Sequence, residues 1–509
     1  MPLLPKPVVD MSVEAELKLR IAPEHMSRLK RHPLLKNISL ARATTRKLYS
    51  IYHDTSKLEL RQNFMALRLR RSGKQWLQTL KGGGMVYAGL HRRNEWEMPV
   101  SGEALDFAAF KTSSENHLLH SLRKKIRPIF VTDFSRNLRM VTFGGAEIEL
   151  SLDSGEIRAG ENSRPISELE LELKSGEPLQ LFKLALLLLD TVPLEVEHIS
   201  KAEYGYRLFT QEQSAVTKVA MPNLAKCPDV PGALQAMIGS CLLHLHANVP
   251  GTLQRVDEEY LHQVRVALRR LRVMLSIAET FHADGELSKL HDYVAELCVE
   301  LGRLREWDVF VTEILLPIRP RLQERDGLRL LLACAKLRGQ HRATVESRLK
   351  SQDYQRFLLN FGAWMHGDYW HVASKGELPL PTFAGQILDK RRRQLGKHAK
   401  QLASATPDQL HIMRIACKKL RYSAESFSSL FHPLKTAHYL SALAALQDTL
   451  GTLNDIEVSH RLLDELDAGE QNQATILIRG FIENDHQEQI VKLKNEWKLF
   501  SKLKAFWPG

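Results

Sequence analysis

The sequence predicts an α+β multidomain chain: a closed antiparallel β-barrel at the N-terminus, then an all-α, internally duplicated helical bundle. Three observations carry this. From Val13 to about Phe209 apolar and charged residues alternate at period two, and the charges of each segment fall on one face. From Gly232 onward the apolar spacing becomes three and four, in long segments ending near prolines and glycines. Within that second part, two blocks of sequence recur at a fixed offset of 149 residues, as between His262 and His411.

Composition sets the outer bounds. A chain of 509 residues is long enough for about three domains with cores of their own, and 44% hydrophobic with 26% charged residues is a soluble, globular balance. No apolar run approaches the roughly 18 residues that a membrane helix needs, which argues against a membrane protein. Residues 1–10 are Pro-rich, without a basic region followed by an apolar one, so neither a signal nor a transit peptide is expected; Met11 is an alternative start to Met1. Five cysteines are scattered without a C-x-x-C pair, which argues against a disulfide framework or a zinc site and points to the reducing cytoplasm. A net charge of +12 favours acidic partners.

The first strand is Val13–Leu19, with Glu14, Glu16 and Lys18 on one face and Val13, Ala15, Leu17 and Leu19 on the other. Same-face neighbours lie about 6.6 Å apart, a spacing at which two carboxylates can share a divalent cation. The pattern recurs. Arg68 and Arg70 share a face in Ala66–Arg70, Thr79 and Lys81 in Trp76–Lys81, and Arg93, Glu95 and Glu97 after the Gly82–Gly84 turn. Glu147, Glu149, Ser151 and Asp153 line one side of a strand backed by Ile148, Leu150 and Leu152, and Glu168, Glu170 and Glu172 alternate with three leucines. Adjacent like charges repel unless a cation or a facing basic strand neutralises them. Closing the sheet with its charges inward resolves this, giving a tunnel with basic walls for phosphate and acidic walls for metal. His53 beside Asp54 is expected to be structural, and the Leu184–Leu189 run to be a helix packed on the barrel.

Residues 210–231 read as a linker, with prolines at 222, 228 and 231. The division is thus 11–209, linker, and 232–509, and a chain ending near Thr210 is expected to fold. In the helical part His262, Arg265, Arg269 and Arg272 fall within about 80° of helix arc, and His411, Arg414, Lys418 and Arg421 repeat this register. Leu301-Gly302 and Leu450-Gly451 begin the second matching block, which carries Glu306, Asp308, Asp455 and Glu457. Two basic stripes headed by histidine describe an anion-binding surface, and the later acids are candidates to pair with them across helices.

The first part resembles the CYTH domain, the triphosphate tunnel fold. The residues that carry the resemblance are Glu14-x-Glu16-x-Lys18, Tyr52-x-Asp54-Thr55, Leu67-Arg68-x-Arg70, Thr79-x-Lys81-Gly82, Arg93-x-Glu95-x-Glu97, Asp133-Phe134-x-Arg136, Leu152-Asp153-x-Gly155 and the run from Glu168 to Lys174. The resemblance implies a closed barrel that binds a triphosphate group with Mg2+ or Mn2+. It assigns Lys18, Arg68, Arg70, Lys81, Arg93, Arg136 and Lys201 to the phosphates, and Glu14, Glu16, Asp153, Glu168, Glu170 and Glu172 to the metal. Glu168, Glu170, Glu172 and Lys81 are then the candidate catalytic residues, with Glu95, Glu97, Glu147 and Glu149 as charge balance.

The second part resembles the CHAD domain. His262-x-x-Arg265 with Arg269-Arg270-x-Arg272, and His411-x-x-Arg414 with Lys418-Lys419-Leu420-Arg421-Tyr422, carry that resemblance. An Arg-Asp-x-Asp element usual in the family is Arg305-Glu306-Trp307-Asp308 here. The resemblance implies inorganic polyphosphate bound by His262, Arg265, Arg269, Arg270, Arg272, His411, Arg414, Lys418, Lys419 and Arg421. The expected activity is metal-dependent hydrolysis of inorganic triphosphate to diphosphate and phosphate. The rivals are the same fold acting on thiamine or nucleoside triphosphates or cyclising ATP, and a non-catalytic polyphosphate scaffold. Nucleic-acid binding rests on charge alone and lacks a recognition helix, zinc finger or aromatic RNA-binding strand.

Overall fold

The structure, a computed structural model, describes residues 11–110, 116–212, 215–281, 284–370, 378–467 and 473–508. The reading of residues 1–10 lies outside them. Two compact units emerge, one of residues 1–215 with 351–367, the other of 216–350 with 368–509.

In the first unit eight strands close a ring: β1 (Met11–Arg20), β2 (Thr44–Asp54), β3 (Met65–Ser72), β4 (Gln75–Tyr87), β5 (Leu90–Val100), β6 (Arg127–Phe143), β7 (Ala146–Ala159) and β8 (Asn162–Ser175). The order is β1-β5-β4-β3-β2-β6-β7-β8 and back to β1, every pair antiparallel. The barrel is inverted relative to an ordinary small one. Its charged residues face the lumen, and its leucines face outward, where helices must cover them. Leu17 and Leu19 of β1, Ile148 and Leu150 of β7 and Leu169 and Leu171 of β8 pack with Leu181, Phe182, Leu184 and Leu188 of α1 (Leu179–Leu189). On another side Tyr206 of α2 (Lys201–Thr210) packs with Phe130, Ile157 and Ile166. Gly205 is required there, since a Cβ would lie 2.0 Å from the Phe130 ring. Leu119 and Leu122 cover Leu67, Leu80, Trp96 and Met98 on β3–β5. His53 is buried, with Nδ1 3.2 Å from the Ile51 carbonyl, and burial holds its imidazole down to about 4, hence neutral and structural.

The second unit is two copies of a four-helix repeat. The first holds α3 (Val230–Gln254), α4 (Glu258–Ala278), α5 (Gly285–Val309) and α6 (Glu324–Lys350). After an intervening helix α7 (Gln352–Met365), the second holds α8 (Leu380–His398), α9 (Pro407–Phe427), α10 (Pro433–Asp467) and α11 (Gln473–Ser501). α4 and α9 are both 21 residues long and start at the sequence offset, after the capping residues Asp257 and Thr406. The copies share a core, in which Trp307, Phe310 and Leu315 of the first meet Ile456, Leu463 and Ile478 of the second. Part of the expected linker belongs to this unit: Thr217 and Asn248 exchange two hydrogen bonds of 3.1 and 2.9 Å, and the Leu224 amide donates to Ser429. No helix among the described residues is long and apolar enough to cross a membrane.

The chain is less cleanly divided than a boundary near Thr210 implies. α7 lies between the helical repeats in sequence yet belongs to the barrel unit. Leu359 is fully buried in the barrel's outer core, Gly362 lies against Phe182 so closely that a Cβ would come within 2.1 Å of the ring, and Phe182 stacks on His366 at 5.6 Å. Arg356 pairs with Asp190 at 2.8 Å. A chain ending near Thr210 would leave this apolar face bare. Leu359→Ala in the full chain is expected to cost about 2–5 kcal/mol by urea denaturation, and a chain truncated at Thr210 to melt well below the parent or aggregate; equal melting of the two would show that α7 is dispensable.

Candidate functional site

The lumen is a cavity of about 480 Å3. Strand register places its charges as opposed pairs. Lys18 of β1 sits opposite Glu170 of β8, Arg136 of β6 opposite Asp153 of β7, and Lys81 of β4 opposite Glu95 of β5. Arg136 grips Asp153 through two bonds of 2.6 and 2.8 Å and also reaches Glu170. Lys201, the first residue of α2, places its ammonium 2.7 Å from Asp153 and 2.9 Å from Glu170, and in contact with Glu168. Lys18 pairs with Glu16 at 2.9 Å and with Glu170; Lys81 pairs with Glu14 and, at 3.4 Å, with Glu95.

Burial alone would raise the Asp153 carboxyl, but Lys201 and Arg136 outweigh it and hold it well below the carboxylate range. Burial also presses on the Lys201 ammonium; with three carboxylates in contact, its charged form is the one that neutralises them. Two acids have the opposite character. Burial lifts the Glu14 carboxyl to about 7 although Lys81 opposes it, and burial also raises Glu172, with Lys174 opposing and Glu149 and Glu16 adding. Both are held up by burial even with a lysine in contact. Conversely, Arg70 forms no carboxylate pair among the described residues. It donates to Ser50 at 3.2 Å, and burial with the nearby Arg68 and Arg136 pulls it down to about 10.

Of the expected tunnel residues, Glu14, Glu16, Lys18, Arg68, Arg70, Lys81, Arg93, Arg136, Glu170, Glu172 and Lys201 line the lumen. Asp153 and Glu168 lie behind that surface and hold Lys201. The expected trio of Glu168, Glu170 and Glu172 is therefore not one cluster: oxygens of Asp153, Glu168 and Glu170 lie within 4.8 Å of one another, close enough to share a cation, whereas Glu172 pairs with Lys174. The same-face pattern places all three inward but cannot say which cross-strand partner each meets. Glu95, Glu97 and Glu149 line the lumen and Glu147 is exposed. Arg46 was missed. It shares a face with Leu48, Ser50 and Tyr52, so no run of charges marked it.

In the helical unit both basic stripes converge on one cavity of about 1140 Å3. His262, Arg265, Arg269 and Arg272 line it from α4, and His411, Arg414, Lys418 and Lys419 from α9. Arg265 donates to the Leu301 carbonyl at 2.6 Å, an approach that Gly302 leaves open, since a Cβ there would lie 3.2 Å from the guanidinium. His411 and Arg414 meet the Asn454 side chain at 2.9 and 3.2 Å. Burial, then the Arg269 and Arg414 charges, push the Lys418 ammonium down to about 5; burial and Arg269 pull Arg265 down to about 10.

Two expected members stay outside. Arg270 is buried over the Tyr422 ring and paired with Glu425, and Arg421 spends its charge on the same Glu425 at 2.8 Å. The repeats differ at this point because Glu425 stands where the first copy has Ser276. Two of the later acids turn to other arginines: Glu306 binds Arg461 at 2.6 Å, and Asp308 binds Arg338 at 2.7 Å; Asp455 acts on Arg414 and Lys418. Arg303, Arg305 and Arg461 also line the cavity. Arg303 and Arg461 have no basic counterpart in the other repeat, so the repeat did not reveal them.

Comparison with known proteins follows this division. A CYTH domain model matches residues 12–206, and a CHAD domain model matches residues 236–464. The chain is 34% identical over 207 residues to a protein of Haemophilus influenzae named inorganic triphosphatase; the match covers 40% of this chain and 56% of that relative's length. It is 26% identical over 427 residues to an uncharacterized protein of Mycobacterium tuberculosis, covering 76% of this chain and 77% of the other. Among solved structures, the CHAD domain from the plant Ricinus communis matches with a TM-score of 0.51 and 30% identity, covering 58% of this chain and 99% of that one.

Asp153→Asn is expected to destabilise the barrel by about 3–5 kcal/mol at pH 7, because Lys201 and Arg136 lose a buried counter-charge. The Asp153 carboxyl is depressed in the fold, so its contribution is complete above about pH 4 and lost as pH falls toward the depressed value. Denaturation of parent and variant at pH 7 and pH 3 should therefore show a difference that shrinks in acid, and a constant difference would contradict the assignment.

Proposed function

Because the chain belongs to the CYTH family over residues 12–206 and to the CHAD family over residues 236–464, we propose that its barrel hydrolyses inorganic triphosphate with Mg2+ or Mn2+, and that its helical cavity binds inorganic polyphosphate. The observation that carries the first part is Arg70, a cation in the lumen without a carboxylate partner among the described residues, beside Arg68 and Arg136. Such a group calls for an anion with several negative oxygens. The lumen lining is mostly charged, with Tyr52 in it and the Phe134 ring against Arg70, Arg136 and Lys201, which favours a substrate made of phosphate over one carrying a base or a thiazole. The relative named inorganic triphosphatase supports the same choice.

In this reading Arg68, Arg70 and Arg136 hold the non-bridging phosphate oxygens, while Lys18 and Lys81 offset the charge that develops on the departing diphosphate. The residues fit a hard divalent cation: the lumen offers carboxylate oxygens of Glu14, Glu16, Glu170 and Glu172, and burial raises the Glu14 and Glu172 carboxyls even with a lysine beside each, so a further cation would favour their charged forms. When bound there, such a cation would supply charge neutralisation and polarise the phosphoryl group. Asp153 and Glu168 act at one remove, holding Lys201.

The helical cavity supports the second part. Its cations are pressed toward their neutral forms by burial and by one another, and a long polyanion relieves both effects. The cavity's volume is more than twice that of the lumen, which suits a polymer.

Phosphate release should be measured in parallel from inorganic triphosphate, ATP, thiamine triphosphate and long-chain polyphosphate, with Mg2+, Mn2+ or EDTA. Metal-dependent release that is greatest from triphosphate is expected; preference for an organic triphosphate would change the substrate, and no release would remove the enzymatic reading. Arg70→Ala should raise KM roughly tenfold without lowering the melting temperature of the ligand-free chain, since it removes an unneutralised charge. Glu170→Gln should abolish turnover, and unchanged turnover would take Glu170 out of the site. For the helical cavity, polyphosphate binding should draw a proton onto Lys418 and so tighten between pH 8 and pH 6. Calorimetry in buffers of different ionisation enthalpy reads that uptake directly. Arg265→Ala, Arg269→Ala and Arg414→Ala combined should weaken polyphosphate binding at least tenfold and spare triphosphate hydrolysis.

A further inference from the structure

Lys201 reaches the lumen on a short segment that α7 holds in place. The two-residue strand Glu195–Val196 pairs with Leu19 and Arg20 of β1, and the Glu197 amide donates to the Lys18 carbonyl at 2.9 Å. The Glu197 carboxylate then accepts from the Ile199 amide at 2.9 Å and the Tyr204 hydroxyl at 2.8 Å, and Ser200 caps the helix that begins with Lys201. α7 supplies two acceptors to this segment. Gln355 Oε1 accepts from the Val196 amide at 2.8 Å, across 159 positions of sequence, and Gln352 Oε1 accepts from the Leu194 amide at 3.3 Å. Gln355 is buried, at 6% exposure, on a helix anchored by Leu359, Gly362 and the Arg356–Asp190 pair. A buried amide oxygen on a packed helix is a fixed point.

We propose that Gln352 and Gln355 are positioning residues for Lys201: by holding the backbone at Leu194 and Val196 they set where α2 begins, and so where the Lys201 ammonium meets Asp153, Glu168 and Glu170. The inference rests on the reading of the lumen as a triphosphate site. Since α7 comes from between the two helical repeats, the tunnel is complete only when the chain has passed through the first repeat. The expected size of the effect follows from how steeply such sites depend on placement, a shift of about 1 Å costing roughly 100-fold. A loosened segment should lose part of that.

The test is a cycle in the full chain, read as kcat/KM for phosphate release from inorganic triphosphate with Mg2+. The four proteins are the parent, Gln352→Ala with Gln355→Ala, Lys201→Gln, and the three substitutions together. The paired glutamine change is expected to lower kcat/KM roughly tenfold in the parent and less than twofold when Lys201 is already replaced. A roughly tenfold loss in both backgrounds would mean that the glutamines act through general packing, and no loss in the parent would mean that they do not act at all; either overturns the inference. If the paired variant is unfolded by circular dichroism, Gln355→Ala alone replaces it in the same cycle, with about a threefold loss expected. A parent that releases no phosphate would overturn the functional reading as well, whereas an active parent with equal losses overturns the positioning role alone.

Discussion

The Lys201 ammonium, held by Asp153, Glu168 and Glu170 with Arg136 closing the group, is the contact on which the barrel depends. A barrel wall that directs glutamates inward from β1 and β8 is unstable by itself, because like charges on neighbouring strands repel and each is removed from bulk water. Opposed register supplies most of the answer, setting Lys18 against Glu170 and Arg136 against Asp153. Strand pairing alone brings no strand cation to Glu168, which faces Arg20 and Asp153 in the ladders, with Arg20 committed to Glu195. The missing charge comes from a helix, so the helix that follows the sheet is part of its electrostatics as well as of its packing.

Turning the charges inward has a second consequence. The leucines that would fill the centre of an ordinary small barrel lie outside, and their burial falls to whatever helices the chain can provide. α1 and α2 follow the sheet directly, but they do not cover all of it. α7 completes the cover, which is why a segment between two helical repeats returns to the barrel. The same helix then reaches the segment before Lys201 through Gln352 and Gln355. Covering the outside and ordering the inside are thus tasks of one element.

Much of this was legible in the sequence. Alternation of Glu14, Glu16 and Lys18 with Ala15 and Leu17 assigned the inward face of β1, and the offset between His262 and His411 is the offset at which α4 and α9 begin. Periodicity reports which face of an element is apolar and is silent about what covers it. That is why the division 232–509 placed Gln352–Met365 with the helical part. It is also why Glu172 read as a partner of Glu168 and Glu170, since same-face spacing does not include the cross-strand neighbour that takes up each charge. Arg421 read as a ligand because the shared register with Arg272 takes no account of Glu425, four residues after it, which neutralises it.

The lumen and the helical cavity solve one problem in two ways. In the lumen Lys18, Arg68, Lys81, Arg136, Lys174 and Lys201 each have a carboxylate partner, so much of its charge is balanced within the fold, while Arg70 is left for the anion proposed above. In the helical cavity the cations face one another across two repeats, with Asp455 beside Arg414 and Lys418, Glu306 bound to Arg461 and Asp308 turned to Arg338. Burial and the neighbouring Arg269 and Arg414 charges push the Lys418 ammonium down to about 5. A neutralised lattice keeps its geometry when the ligand leaves, as a site that must align a reacting phosphoryl group requires. An under-neutralised surface gains most of its charge balance from the ligand itself, which favours grip over alignment. On the proposed function, the two charge arrangements would separate a place for chemistry from a place for retention within one chain.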